Sequence, residues 1–101
     1  MIVVNVLVET SAENIATMQA AVAEMEAASR AETGCIDYTF CVELNDPTRL
    51  RVVENWVDVA ALTEHFRTTH MAAFNTAMSV NPPSNVDVKC YEVKEIPLPR
   101  P

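Results

Sequence analysis

The sequence predicts an α+β fold with elements in the order β-α-β-β-α-β. Three observations carry this. Apolar residues recur every second position over residues 2–9, 35–43 and 49–56, the period of a strand. They recur every third or fourth position over 15–25 and 62–78, the period of a helix. Between these stretches stand residues that cap helices or make turns.

The first strand, Ile2–Glu9, is rich in β-branched residues. Ile2, Val4, Val6 and Val8 point one way, and Val3, Asn5, Leu7 and Glu9 the other. Asn5 is a lone amide in an apolar strand. It either bonds a loop or a partner chain, or enters a pocket as a hydrogen-bond donor. Thr10 and Glu13 have capping-box spacing, and Ser11 is a second N-cap candidate. Ile15, Met18, Val22 and Met25 then form the core stripe of a long helix that should stop near Glu32. Gly34, the only glycine, sits where a left-handed C-cap is wanted.

In the second strand, 35–43, Ile36, Tyr38, Phe40 and Val42 share one face, and Asp37, Thr39 and Cys41 the other. Residues 44–48 read as a turn, and 49–56 as a third strand pairing back as a hairpin. On it Leu50, Val52, Glu54 and Trp56 share a face. Asp58 is an N-cap for a helix over 58–67, and Thr68 or Thr69 for another over 69–78. Leu62, His65 and Phe66 form one helical stripe, which His70, Phe74 and Met78 continue. After a loop at 81–85, residues 86–95 alternate loosely as a fourth strand. The prolines of 96–101 make that segment an extended tail.

This is the split ferredoxin-like arrangement, one domain over residues 1–101. Its helices cover one sheet face. The other face would stand in water unless an identical sheet covered it, which predicts a homodimer closed as an α+β barrel.

Composition bounds the partners. Fourteen acidic against seven basic residues give a net charge of −7, which argues against nucleic acid and anionic membranes. The N-terminal stretch lacks a basic leader and alternates as a strand does, and no apolar run reaches the length of a membrane span. Cys35 and Cys41 lie about 20 Å apart at strand rise, too far to bridge. With Cys90 they are expected to be reduced, mostly buried thiols in a cytoplasmic protein. A single glycine excludes the usual dinucleotide and phosphate loops, and HExxH, CxxC and GxSxG are absent. No flavin, nicotinamide or other cofactor is therefore expected. His65 and His70, five apart, fall off the shared face of one helix, so no metal site is expected.

What remains is a pocket between sheet and helices. Trp56, Phe66, Phe74 and Tyr38 should wall it, with Asn5, Glu54, His65 and His70 as polar groups. An imidazole can act as a base near neutral pH, and a nearby carboxylate would fix its tautomer. Each residue also has a purely structural explanation. Glu54 can pair with Arg51 or cap a loop, Trp56 and His65 can be core, and His70 can cap a helix end.

The stretch E-N-W, A-L, H-F-x-x-T-H-M-x-x-F is carried by Glu54, Trp56, Ala61, Leu62, His65, Phe66, Thr69, His70 and Phe74. With Glu32, Gly34, Cys35, Tyr38 and Pro47 upstream, it resembles the antibiotic biosynthesis monooxygenase (ABM) family of small dimeric α+β barrels. The resemblance implies cofactor-independent oxidation of a small aromatic substrate, a quinol or anthrone, by molecular oxygen. His65, Glu54 and Asn5 would be the catalytic set, with Trp56, His70, Phe66, Phe74 and Tyr38 against the substrate. Haem-degrading relatives pair a strand-one Asn with a helical Trp and His. Asn5 fits, but His65 and Asn75 stand at the other two places. Autoinducer-processing relatives are similar through H-F-R-T-T-H, yet the 81–85 loop lacks the Lys or Arg that a phosphorylated ligand would want. A non-catalytic dimeric module binding an aromatic metabolite is the further alternative.

Overall fold

A computed structural model describes all residues, 1–101. The elements run β1 (Ile2–Glu9), α1 (Ala12–Arg30), β2 (Cys35–Glu43), β3 (Asp46–Trp56), α2 (Val59–His65), α3 (Thr69–Val80) and β4 (Asn85–Glu92). The strands form one antiparallel sheet in the order β2-β3-β1-β4. The α+β, ferredoxin-like expectation holds, with the second helical segment split in two.

Local chemistry sets the boundaries. α1 is capped by Ser11, whose Oγ accepts the Asn14 N–H at 3.1 Å, while Thr10 accepts from the Asn14 side chain instead. Asp58 caps α2 through the Ala61 N–H at 2.8 Å. Thr68 caps α3 through the Met71 N–H at 3.2 Å. The Thr68 hydroxyl also donates to the His65 carbonyl at 2.7 Å, so one residue closes α2 and opens α3.

Gly34 corrects its expected role. No residue of the chain has positive φ, so this glycine is not a left-handed cap. A Cβ there would collide with the Ala61 Cβ and press on Val57. The missing side chain is a space requirement, since it lets α2 approach the loop before β2.

Two strand features differ from the alternating pattern. A bulge sets Cys35 opposite Trp56 and Asp37 opposite Asn55. Ile36 is the extra residue, leaves the Tyr38 face and is 54% exposed, because a bulge shifts the side-chain alternation by one. Pairing in the hairpin begins at Asp46, so the turn is only Leu44 and Asn45, and the register shifts around Pro47–Arg49. Beyond Glu92, the last residue of β4, no regular structure follows.

The core lies between the sheet and the helices and holds Ile2, Val4, Met25, Tyr38, Val52, Trp56 and Leu62. Burying such side chains contributes about 1.5–3 kcal/mol each. α1 also serves the free edge of β2. Glu26 Oε2 accepts the Phe40 N–H at 2.7 Å, and Arg30 Nε donates to the Tyr38 carbonyl at 2.8 Å. β4 has no such cover and is exposed along its whole length. The opposite sheet face is open, with Val3, Leu7 and Val53 half-buried beside Asn5 and Tyr91. There Arg49 bridges Glu9 at 2.7 Å and Glu43 at 2.8 Å, and Arg51 joins Glu43 at 3.0 Å. The cysteines are free, but Cys41 and Cys90 are exposed: Cys41 pairs with Arg51 on the open sheet face, and Cys90 lies on β4, which is exposed throughout. No helix is long and apolar enough to cross a membrane.

Candidate functional site

The inward face of the sheet floors a cavity of about 260 Å³, roofed by α1, Phe66 and α3. Val4, Val6 and Val8 of β1 and Leu50, Val52 and Glu54 of β3 form the floor. Met18, Val22, Met71, Phe74 and Met78 form most of the roof. The cavity is elongated, because its floor runs from Glu54, paired with Val4, to Thr10, which donates its backbone N–H to Thr48. That is about 20 Å of strand. Tyr38 and Glu54 stand at one end, and Thr10, Asn14, Asn81 and Pro83 at the other. No Lys or Arg lines it.

Glu54 is the one carboxyl on this wall. The residue is 6% exposed, and its Oε1 accepts the Trp56 indole N–H at 3.0 Å. Residues two apart on a strand share a face, which puts donor and acceptor side by side. Burial raises the Glu54 pKa, and the Trp56 hydrogen bond and the nearby His65 pull it partly back. Burial, and then the charge of Glu54, push the Tyr38 phenol well above its ordinary range, so this ring stays neutral. Burial and the Glu32 charge push the Cys35 thiol up to about 11, so it is no nucleophile at neutral pH.

The expected site residues divide. Glu54, Tyr38, Phe66 and Phe74 line the cavity. Phe66 does so from the end of α2, where it is 59% exposed. Trp56 does not line it; it is wholly buried behind Glu54 and reaches the cavity only through that carboxyl. Asn5 is on the wrong side. It pairs with Val53 and Lys89 in the sheet, and the odd positions of β1 face away from the helices, so its exposed amide lies on the open face.

His65 and His70 need the largest correction. His65 is 1% exposed and packs its ring against Trp56, with centroids 4.6 Å apart. Its hydrogen-bond partner is not Glu54. Nδ1 lies 2.7 Å from Oε2 of Glu32, just past α1, and Nε2 is buried without a partner. His70 Nε2 lies 2.8 Å from the same oxygen. An i,i+5 spacing keeps two side chains apart only on one continuous helix. The break at Thr68 instead places the rings on α2 and α3, with centroids 5.9 Å apart. Neither histidine lines the cavity. Glu32, quoted in the sequence motif but given no role, is the residue that joins them. Asn14 and Asn75, also on the cavity wall, were likewise unassigned. No sequence signal marks them, because their position depends on how α1 and α3 cross the sheet.

Residues 1–77 match the sequence profile of a family described as antibiotic biosynthesis monooxygenase. Among solved structures, the chain is similar to a protein of Deinococcus radiodurans whose name carries those same words. Identity is 21%, both chains are covered fully, and the TM-score is 0.89. It is similar to a Nitrosomonas europaea protein with the same words in its name, at 17% identity over 92% of this chain and 98% of that one, TM-score 0.85. A conserved protein of Methanosarcina mazei is 25% identical over 92% of each chain, TM-score 0.85. No curated protein matches the chain.

Proposed function

The chain belongs to the antibiotic biosynthesis monooxygenase family, and from that membership we propose that it oxidises a small phenolic aromatic, a quinol or an anthrone, with molecular oxygen. The observation that carries this reading is the cavity: apolar, without Lys or Arg, and with one buried carboxyl whose pKa is raised. Such a wall suits an uncharged aromatic ring and disfavours a phosphorylated ligand.

In the proposed reaction Glu54 touches the substrate and takes a proton from its hydroxyl or activated methylene. A raised carboxyl pKa brings the base closer to the pKa of the group it deprotonates. Trp56 holds Glu54 in place through Oε1. His65, packed against Trp56 and held by Glu32, stands behind and keeps that indole in place. The carbanion or phenolate gives one electron to oxygen, and the radical pair joins as a peroxide. The peroxide takes up a proton and loses water. One oxygen atom stays in the product as a new carbonyl or hydroxyl, and the other leaves as water. The substrate supplies all four electrons that reduce the two oxygen atoms, so the step needs no cofactor. The apolar roof excludes bulk water from the peroxide.

The open sheet face supports a homodimer, with the two sheets packed face to face through Val3, Leu7 and Val53. The deciding experiment is oxygen uptake by the purified protein with a panel of quinols and anthrones. Consumption above the uncatalysed rate, with a quinone or hydroxyquinone product, is expected. Saturable binding of these aromatics with no oxygen uptake would make the chain a binding module instead.

A further inference from the structure

We propose that Glu32, His65 and His70 bind a divalent transition metal of the zinc class, in a site separate from the cavity. The chain has two histidines, and both aim a ring nitrogen at one carboxylate oxygen, at 2.7 and 2.8 Å. One ligand atom from each of the three residues lies within 4.8 Å of the others. Two imidazoles and a carboxylate, with a fourth position left to water, are a donor set that zinc accepts. The nitrogen donors disfavour calcium and magnesium, which take oxygen ligands.

The three residues come from the segment after α1, the last residue of α2 and the first turn of α3. Capping of both helices through Thr68 fixes the approach of the two rings. Ligation at about 2.0–2.1 Å sets tetrahedral edges of about 3.3 Å, so the carboxylate must retreat by about 0.5 Å from each ring. Glu32 and His70 have room to do so, their side chains being 15% and 17% exposed, and the same opening admits the ion and its water. Without metal, each ring donates an N–H to Glu32. With metal, each ring turns its lone pair inward and carries its proton on the far nitrogen. The ion would tie the ends of three helices together. This site does not rest on the proposed oxygenase reaction, and its test makes no use of turnover.

The test adds zinc chloride to the purified full-length chain, then measures metal retained after desalting and the shift in thermal midpoint. About one zinc per chain and a raised midpoint are expected. Glu32→Gln and His70→Gln should each weaken zinc binding at least tenfold while leaving the circular dichroism unchanged. Cobalt(II) in place of zinc should give the visible absorption of a tetrahedral site, lost in both variants. A Cys41→Ser/Cys90→Ser variant should bind as the parent does. No retained zinc, undiminished binding by both Gln variants, or loss of binding in the cysteine variant would overturn the proposal. Should His70→Gln unfold, Glu32→Gln decides alone.

Discussion

Glu54 and Trp56 are joined by the indole N–H, which donates to the carboxyl at 3.0 Å inside the protein. The bond is possible because positions 54 and 56 share a strand face, and it matters because this carboxyl meets the cavity. Trp56→Phe should remove the donor that lowers the Glu54 pKa. The pH midpoint of kcat/KM on a quinol substrate should then move upward. An unchanged midpoint would show that Glu54 is not the titrating base.

Glu54→Gln should lower turnover by about 10²-fold or more, the usual contribution of a positioned base. It should also change the pH dependence of stability. The folded-state pKa of Glu54 is raised by burial, so its stabilising neutral form is fully present below about 4.3, the unfolded value. That contribution is lost as pH rises through the folded value. Gln is neutral throughout, so thermal midpoints should shift in favour of the variant between pH 4 and pH 8. A constant gap across that range would refute the assignment.

His65→Ala should reduce both turnover and stability. The ring is fully buried, packed against Trp56 and bonded to Glu32. Deleting a buried ring of this size costs about 3–5 kcal/mol. His70→Ala, at a partly exposed position, should cost less of both. Denaturant titration beside an oxygen-uptake assay gives the comparison, and the reverse ranking would assign His70 the larger role.

Gly34→Ala should destabilise the fold by about 1–3 kcal/mol, because the added methyl meets Ala61. Ala61→Gly in the same chain should recover part of that loss, and the coupling is read from a double-mutant cycle. Additive effects would mean that the clash is relieved elsewhere.

In solution the protein should have twice the 11.2 kDa chain mass by light scattering. Val53→Glu, on the open face, should return it to the chain mass with the secondary structure intact.

The architecture was legible because it rests on periodicity and caps, which are local. The strand alternation, Asp58, Thr68 and the common face of Glu54 and Trp56 all came through. The side-chain partners did not. Glu32 is 33 positions from His65, and no local pattern encodes that pairing. Ile36 was misplaced because a bulge shifts the alternation silently. Asn5 was placed in a pocket on chemical type, although its odd position in β1 already shared a face with Glu9. Two helices were expected around His65 and His70, but their i,i+5 spacing was judged as if both rings stood on one, so their convergence was missed. Thr68 was noted as a cap, but the bend it permits is three-dimensional.

The two margins of the sheet are unlike. At β2 the side chains of Glu26 and Arg30 occupy the backbone groups that a further strand would use. At β4 those groups are bare. A sheet of this kind can be lengthened in one direction only. If two copies were to join β4 to β4, the eight-stranded ribbon would present an occupied margin at each end, and no third copy could add. The polar side chains of α1 therefore act as a terminator, making any strand-to-strand association of this chain finite where an unprotected sheet would continue into a fibre.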